Sequence, residues 1–562
     1  MKRLLPSLIV TFAAILALAA IFHLFSHQRQ QEKALFDSLP FEMEEVERPD
    51  IPNRSVSVEE FGGVGDGITL NTEAFAKAFA HLAQRGGGRV EVPAGVWFTG
   101  PIVLENHTEL HLDEDAIVVF SADRDLYPVV ATIFEGRDTY RCQPLLSAFG
   151  KHDVAVTGKG IIDGNGAPWR AVKKSKIAPS EWNKIVKSGG VLSNDGNTWY
   201  PTENFKKGAG DADQNIARWA VTKEDFESIR DFLRPVMVNF KDCERVLLEG
   251  PVFQNSPCWN IHTAICTDLT VNDIAIRCPW YAQNGDGIDI ESCKNVLLTN
   301  SWIDAGDDAI CIKSGKDADG RKRGIPSENV VVYNCTCYHG HGGFVVGSEM
   351  SGGVKNVYVG NCRFSGTDVG LRFKSTRGRG GVVENIFIEN IVMNDIATEA
   401  LLFDLFYGGK SALEALADGD GNPTTDMPFK PVDETTPQFR NIVVDNVVCR
   451  SARRAMLFNG LPEMNVENVV VTNTTIESEV GAEINESTNV VLDKVSITPR
   501  KGAALKINNA KNVVVTEFVC PESEVAMQVT GSRNEAIVVE SERITSANAL
   551  IAPTATDAVC IK

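Results

Sequence analysis

The sequence lacks an excess of positive charge. It carries 55 lysines and arginines against 74 aspartates and glutamates, which gives a formal net charge of -19. Phosphate backbones and anionic lipid headgroups repel a chain this acidic, so nucleic acid and an anionic membrane surface are excluded as its main partner. An anionic substrate stays open, because one local pair of basic side chains can hold a carboxylate against the global field.

The sequence also lacks the even cysteine count of a closed disulfide framework, since it has 13. Their positions follow an internal repeat instead: Cys243, Cys266 and Cys293 each precede a strand start by two residues, and Cys335 is equivalent to Cys362. Stacked cysteines about 4.8 Å apart could bridge, but parallel side chains make poor disulfide geometry. We therefore expect columns of small buried apolar residues.

Helices are missing between the repeated segments. These read RVLLEG, DLTVND, NVLLTN, NVVVYN, NVYVGN, NIFIEN, NIVVDN and NVVVTN, and begin at residues 245, 268, 295, 329, 356, 385, 441 and 468. The first two steps, 268 minus 245 (23) and 295 minus 268 (27), have the period of a β-solenoid coil. Because no ten-residue helix fits in such a step, a βαβ fold is excluded. The predicted fold class is all-β, a single-stranded parallel β-helix.

Two features accompany the repeats. An amphipathic helix from about residue 73 to 84, capped by Asn71 or Thr72, is predicted to cover the open end of the core. Its apolar face comprises Phe75, Ala78, Phe79 and Leu82. Asparagines that close six of the repeats are predicted to stack as an amide ladder. They are Asn300, Asn334, Asn361, Asn390, Asn446 and Asn473.

The chain divides into three parts. Residues 1–27 have a basic head and an apolar run, which predicts a signal peptide or an uncleaved membrane anchor and, in both cases, an exported protein that is periplasmic, membrane-anchored or secreted. Residues 28–54 are polar without apolar periodicity and are interpreted as a linker. Residues 55–562 form the predicted β-helix domain, with insertions at about 167–234 and 408–438. The first insertion is interpreted as either structural cover or a wall of a cleft.

The chemistry is concentrated in residues 284–374. Four segments there, NGDGIDIES, GDDAICIKS, HGGFVVGS and VGLRFKS, align on their closing serines, with an apolar residue two and four places back in each. The alternate positions of such strands face outward. Those positions and the strand entrances carry Asp286, Asp289, Asp307, Asp308, His341, Arg372 and Lys374.

Equivalent places in neighbouring coils bring four of these side chains together. Asp286 and Asp308 both stand six residues before the closing serine of their segment, and Asp307 and His341 both stand seven residues before it. With coils about 4.8 Å apart, the three carboxylates and the imidazole should converge within about 10 Å. Like charges that close cannot all ionise cheaply, so at least one pKa should rise, as a general acid requires. A calcium cage or solvated turns are the alternatives, which the nearby cations disfavour.

The motifs N-x-D, D-D, G-H-G and R-x-K, in this order, resemble the polygalacturonase family of pectin-cleaving glycoside hydrolases, family 28. Here they stand as Asn284-Gly285-Asp286, Asp307-Asp308, Gly340-His341-Gly342 and Arg372-Phe373-Lys374. NSPCWNIH, which ends at His262, is also similar. The resemblance covers roughly residues 55–520, and four ordered motifs give few false positives. It implies a right-handed parallel β-helix that uses no metal or cofactor.

The resemblance also implies an inverting hydrolysis of α-1,4-galacturonosyl linkages in pectin or polygalacturonate. Asp307 would protonate the glycosidic oxygen, and Asp286 with Asp308 would activate the attacking water across the roughly 6.5–9.5 Å of inverting enzymes. His341 would tune the acid. The implied substrate-binding residues are Arg372, Lys374, Tyr407, Asn284 and His262.

Residues 316–326 and the first insertion look like additions of the bacterial exo-acting branch, so we expect exo action. Three alternatives stay open: a hydrolase of rhamnogalacturonan or another substituted pectin, a calcium-dependent pectate lyase, and a non-catalytic carbohydrate-binding solenoid such as an adhesin or tailspike. The pair of Arg372 and Lys374 favours a uronate substrate. The expected partner is a pectic oligo- or polysaccharide bound by a monomer, with membrane anchoring through the N-terminal segment left open.

Overall fold

The computed structural model describes residues 29–408 and 429–562. The described residues divide into two compact units, one before residue 47 and one from residue 47 onward. The predicted signal peptide or anchor and most of the second insertion lie outside the described residues. Among the residues that are described, no helix is long and apolar enough to cross a membrane.

The segment interpreted as a linker differs from that prediction at both of its ends. Residues 29–37 of the first unit are helical. Residues 47–54 belong to the second unit, where the backbone amide of Asp50 donates to Asp153 Oδ1 at 2.9 Å and Arg48 lies 3.5 Å from Glu249. Polar residues without periodicity are thus held here by hydrogen bonds and charge, which periodicity does not reveal.

The second unit is a parallel β-helix, as predicted, with three strand columns. The column that carries the four serine-ended segments is called the site sheet. Its strands are Ile102–Val103, Leu146–Phe149, Val238–Lys241, Ile261–Ala264, Ile288–Glu291, Ile310–Lys313, Phe344–Gly347, Leu371–Lys374, Met527–Thr530 and Ala549–Ile551. Four long strands pass through a corner and supply the intervening coils of this sheet: Val382–Asp404, Gln438–Asn459, Thr475–Asn485 and Ser496–Asn508.

The other two columns complete each coil. The second column comprises Ser55–Ser57, Gly88–Val92, Thr108–Leu112, His152–Gly158, Glu244–Glu249, Thr267–Asn272, Lys294–Thr299, Ser327–Tyr333, Val354–Gly360, Val466–Thr472, Ser487–Asp493, Lys511–Thr516, Glu535–Glu540 and Val559–Ile561. The third comprises Gly95–Thr99, Ala116–Phe120, Ile161–Asp163, Val252–Gln254, Ala275–Arg277, Trp302–Ala305, Thr336–His339 and Arg363–Ser365.

Two excursions leave the coils near the site sheet. A hairpin of Val129–Phe134 and Arg137–Cys142 is antiparallel. The longer excursion lies between Asp163 and Val238 and contains the helices Pro179–Lys187, Glu203–Ala209 and Lys223–Glu227. A further helix, Asp317–Arg323, follows the second serine-ended segment. The hairpin was not predicted, because its strands have the same alternation as coil strands.

The register of the four serine-ended segments is the one predicted from their alignment. Ile288 pairs with Ile310, which pairs with Phe344, which pairs with Leu371. The second apolar row is Ile290, Ile312, Val346 and Phe373. All eight side chains are fully buried. A slip by one residue would expose every one of them, at about 1.5–3 kcal/mol each, so burial fixes the register.

The N-terminal helix spans Thr72–Ala83, and the predicted face of Phe75, Ala78, Phe79 and Leu82 is buried. Asn71 occupies the N-cap position, one of the two caps predicted, but its side chain makes no capping hydrogen bond. Its side chain instead accepts from the amide of Val64 at 2.8 Å and donates to loop and strand carbonyls, so it ties the preceding loop to the coil.

The asparagine ladder forms, but its longest run lies at the strand starts. There each side-chain amide donates to the preceding coil over the series Asn295, Asn329, Asn356, Asn385, Asn441, Asn468, Asn489 and Asn512. These residues all adopt a positive φ, which asparagine tolerates better than most residues. Of the predicted closing asparagines, only two pairs bond directly to one another, Asn334 with Asn300 and Asn446 with Asn390.

The cysteines behave as expected. All 13 are free, and every one except Cys560 is buried. Cys243 and Cys266 direct their thiols to backbone carbonyls of neighbouring coils, at 3.2 and 3.3 Å. They pack as small apolar residues in columns and form no disulfide.

Candidate active site

A cleft of about 280 Å³ lies over the site sheet. The hairpin and the longer excursion contribute to its lining together with the strand entrances of the sheet. Its charged lining residues are Glu135, Lys173, Lys176, Asp286, Asp307, Asp308, Lys313, His341, Glu349 and Lys374. The longer excursion therefore forms part of a cleft wall, one of the two roles considered for it.

The four side chains predicted to converge do so. Asp307 Oδ1 lies 2.9 Å from His341 Nδ1, and the backbone amide of Asp308 donates to Asp307 Oδ1 at 3.0 Å. Asp286 lines the same cleft and is buried, and its Oδ1 has no hydrogen-bond partner in the described part of the chain. Stacking of successive coils thus brings together residues that are separated by up to two coils in sequence.

The carboxyl groups of this cluster differ in acidity. Burial, reinforced by the charge of Asp307, raises the pKa of Asp286 well above its ordinary value. Burial opposes ionisation of Asp307 as well, but the charge of His341 and the hydrogen bond from it hold the pKa of Asp307 below its ordinary value. The raised pKa expected for one carboxyl of the cluster is therefore that of Asp286 and not that of Asp307. The general-acid role of Asp307 stays a prediction.

Arg372 and Lys374 face outward from the site sheet, as predicted, yet they are almost completely buried, at 1% and 5% exposure. Lys374 Nζ donates to Asp308 Oδ2 at 2.7 Å, and Arg372 Nη1 lies 3.4 Å from Asp308 Oδ1. Against the effect of burial, Lys374 and then Arg372 lower the pKa of Asp308. Without substrate these cations neutralise Asp308.

Tyr407 packs against both cations. The ring centroid is 5.4 Å from the guanidinium carbon of Arg372 and 5.0 Å from Lys374 Nζ. Its backbone amide donates to Ser375 at 2.9 Å, which holds the ring beside the end of the Leu371–Lys374 strand. The structure thus brings Tyr407 to the cleft, where it was expected.

Of the last two predicted substrate contacts, one reaches the cleft. Asn284 lines it and accepts from Arg234 Nη2 at 2.8 Å through its Oδ1. His262 does not: it is fully buried, with Nε2 3.0 Å from Glu291 Oε2 and Nδ1 3.0 Å from the amide of Asn239. His262 occupies an outward position paired with Asp289, but neighbouring segments cover it, so the structure contradicts direct substrate contact.

Sequence reasoning missed Lys313, although its signal was present. Lys313 is the outward residue of GDDAICIKS and pairs with Glu291 of the preceding coil. Its Nζ lies 3.1 Å from Glu349 Oε2, 3.4 Å from Asp289 Oδ1 and 4.9 Å from the centroid of the Trp259 ring. Glu135 and Asn215 also line the cleft, but the excursions bring them there and no local pattern marks them.

The donor atoms of Asp307, Asp308 and His341 lie within 4.8 Å of one another, a spacing that a metal ion could bridge. Lys374 and Arg372 already supply positive charge to Asp308, and His341 supplies it to Asp307. Because protein cations hold these carboxylates, we assign no metal to the cluster.

Paired carboxylates and basic side chains in a cleft on a parallel β-helix place the protein among carbohydrate-acting β-helix proteins, since glycoside hydrolysis uses two carboxyl groups. Comparisons with known proteins agree. A family model described as glycosyl hydrolases family 28 matches residues 174–447. The crystal structure of a hyperthermoactive exopolygalacturonase from Thermotoga maritima is 33% identical, covers 83% of this chain and 93% of its own, and superposes with a TM-score of 0.64.

Two relatives are similar over shorter ranges. A probable polygalacturonase of Vitis vinifera is 28% identical over 75% of this chain and 74% of its own length. An exo-poly-α-D-galacturonosidase of Dickeya chrysanthemi is 29% identical over 63% of this chain and 57% of its own. The chain belongs to glycosyl hydrolase family 28 and is a glycosidase, as the ordered motifs predicted.

Proposed function

We propose that the protein hydrolyses α-1,4-galacturonosyl linkages of polygalacturonate or pectin, with inversion and from chain ends. The observation that carries this proposal is a carboxylate cluster that lines one cleft together with Lys374, while buried Arg372 lies directly behind the cleft against Asp308. A uronate carboxylate is a matching ligand for two such cations, whereas a neutral sugar carries no charge to pair with them.

Binding of a uronate would also change the state of Asp308. Lys374 holds Asp308 Oδ2 in the free site, and a substrate carboxylate competes for that ammonium group. As Lys374 turns to the substrate, Asp308 regains basicity and takes a proton from the attacking water, while Asp286, the carboxyl with the raised pKa, holds that water through a hydrogen bond. The water oxygen then bonds to the anomeric carbon while the bond to the glycosidic oxygen breaks.

The leaving oxygen receives its proton from Asp307 in this proposal. Because the pKa of Asp307 is held low by charged His341, the proton must reach Asp307 from that imidazolium, along the 2.9 Å contact to Nδ1. The His341 N–H bond breaks as the Asp307 O–H bond forms, and the latter breaks as the glycosidic oxygen is protonated. Proton donation of this kind is worth about 10²–10⁴-fold in rate.

The exo mode is supported by the cleft walls. Lys173, Lys176, Gln214 and Asn215 of the longer excursion and Glu135 of the hairpin all line the cleft. Two relatives are named as exo-acting on galacturonate polymers. Segments that wall a groove restrict it to chain ends, because an internal stretch of polymer must leave the groove at both ends.

The test is incubation of the purified protein with polygalacturonate and with short galacturonides. We expect release of small products of inverted anomeric configuration by nuclear magnetic resonance, with a slow fall in viscosity. A rapid viscosity fall before much sugar appears would refute exo action, and an ultraviolet-absorbing unsaturated product would identify a lyase. Faster cleavage of rhamnogalacturonan would favour the alternative hydrolase.

The mechanism is tested by Asp307→Asn, which we expect to lower kcat about 10²–10⁴-fold. The matched control is Asp304→Asn, which removes a carboxylate from an exposed pair with His339 (2.8 Å) on the same coil and should leave activity intact. Unchanged sugar release by Asp307→Asn would overturn the assignment.

We also propose that the protein is exported through residues 1–27 and acts as a monomer, which suits an enzyme for an extracellular polymer. Fractionation of expressing cells and light scattering of the purified protein test these two points.

A further inference from the structure

His341 lies between two carboxylates. Its Nδ1 is 2.9 Å from Asp307 Oδ1, and its Nε2 is 4.0 Å from Asp368 Oδ2. Nε2 and this Asp368 oxygen are both buried, and neither has a hydrogen-bond partner among residues 29–408 and 429–562. The two atoms face one another but are about 1 Å too far apart for a hydrogen bond. A hydrogen bond between them would give each buried atom the partner that it lacks.

Asp368 is held in place beside His341 by its own backbone. Its amide donates to the carbonyl of Gly340 at 2.9 Å, and its carbonyl accepts from both the amide and the hydroxyl of Thr398 at 2.7 Å. Its side chain is 12% exposed, and the residue lies outside the set that lines the cleft. Asp368 can therefore reach His341 through a small side-chain movement without touching a bound sugar.

We propose that Asp368 is a positioning residue: it accepts a hydrogen bond from Nε2–H of His341 and thereby keeps Nδ1–H aimed at Asp307. This inference rests on the proposed hydrolysis. With Nε2 committed to Asp368, the proton that leaves the imidazolium for Asp307 comes from Nδ1. The neutral ring that remains keeps its Nε2 proton and presents a free Nδ1 for reprotonation.

The surrounding charges favour this arrangement. Burial alone would lower the pKa of His341, but Asp307, Asp368 and Asp308 together raise it. Arg372 opposes them from the next coil, where its Nη1 donates to the backbone carbonyl of His341 at 3.1 Å. Asp368 is buried enough to raise its own pKa, and the charges of His341, Arg372 and Lys176 act against that rise.

The experiment compares pH profiles of kcat/KM on polygalacturonate for the wild-type protein, Asp368→Asn, Asp368→Glu and the control Asp304→Asn. The alkaline limb reports loss of the His341 proton. Asp368→Asn removes a charge about 4 Å from His341. The alkaline limb of its pH profile should therefore move to lower pH by about 1 unit, with KM near the acid optimum unchanged. Glutamate can reach Nε2, so Asp368→Glu should keep the wild-type limb.

A second readout needs no substrate. Nitrogen-15 resonance of histidine-labelled protein should show His341 titrating at lower pH in Asp368→Asn than in the wild type, and unchanged in Asp304→Asn. An unmoved titration, or an activity loss that is uniform with pH, would overturn the role of Asp368. An inactive wild-type protein in which the His341 shift is still seen would overturn the proposed function and leave the pairing intact.

Discussion

Replacement of Lys313 by methionine is the sharpest test of the charge network beneath the cleft. Methionine keeps much of the side-chain length but removes the ammonium group that lies 3.1 Å from Glu349 and 3.4 Å from Asp289. All three side chains are almost completely buried. Removal of one partner from a buried ion pair leaves an uncompensated charge, and we expect a loss of about 3–5 kcal/mol in the free energy of unfolding.

The sign of the pH dependence follows from Glu349. Burial opposes its ionisation, but Lys313, followed by Arg379 and Lys316, holds its folded pKa well below the ordinary value. In the wild type, Glu349 therefore contributes stability that is present above its unfolded pKa of about 4.3 and is lost as the pH falls through the folded pKa. Without Lys313 the folded pKa rises, so the carboxyl takes up a proton at higher pH. The difference between the two proteins should be largest near pH 7 and narrow toward pH 4.

Titration of Lys313 does not change the pH range over which the two proteins are expected to differ in stability. Its folded pKa is raised well above the ordinary value, by Cys311 and Glu349 among others and against the effect of burial. Its contribution is therefore full below the unfolded pKa of about 10.4 and is lost only as the pH rises through the folded value. Between pH 4 and pH 8 the ammonium group stays charged.

The assay is urea unfolding followed by circular dichroism at several pH values. Lys506→Met is the matched control, because Lys506 pairs with Glu483 at 3.1 Å on the surface and its loss should cost at most about 1 kcal/mol. The double variant Lys313→Met/Glu349→Gln should recover part of the loss by removing the unpaired charge. A loss equal to that of the control, or one constant from pH 4 to pH 8, would refute the reasoning.

Two further predictions concern the ladder and the cleft. Asn356 has a φ of 55° and forms hydrogen bonds to both ladder neighbours. Asn356→Ala should therefore lower the free energy of unfolding in urea by about 2–4 kcal/mol, and Asn356→Gly by clearly less. An equal loss for the two variants would contradict the argument from the positive φ. Tyr407 packs on Arg372 and Lys374, so Tyr407→Ala should lower kcat/KM about 10-fold while Tyr407→Phe, which keeps the ring, stays near the wild type; equal losses would point to the hydroxyl instead.

The sequence predicted the site most accurately where one local rule sufficed. Alternation and coil length placed Asp286 beside Asp308 and Asp307 beside His341, because equivalent positions of stacked strands must lie about 4.8 Å apart. The same rule identified the apolar rows that contain Ile290 and Phe373. None of these inferences required knowledge of distant segments.

The rule failed where another segment covers the outward face. His262 and Arg372 both occupy outward positions, yet His262 is sealed under its neighbours and Arg372 is 1% exposed. Alternation tells which face of the sheet a side chain takes. Whether solvent, a sugar or an excursion lies above that face depends on segments that belong to other coils or to the excursions.

The four serine-ended segments, their register and their functional side chains were thus determined by the sequence itself, because period-two alternation and a repeating coil are properties of neighbouring residues. Tertiary structure alone decided which carboxyl has the raised pKa, that Lys374 neutralises Asp308, and that Asp368 faces His341 across 4.0 Å. The physical reason is that pKa and exposure depend on every charge and surface packed around a group, and the fold brings those together from different coils and excursions.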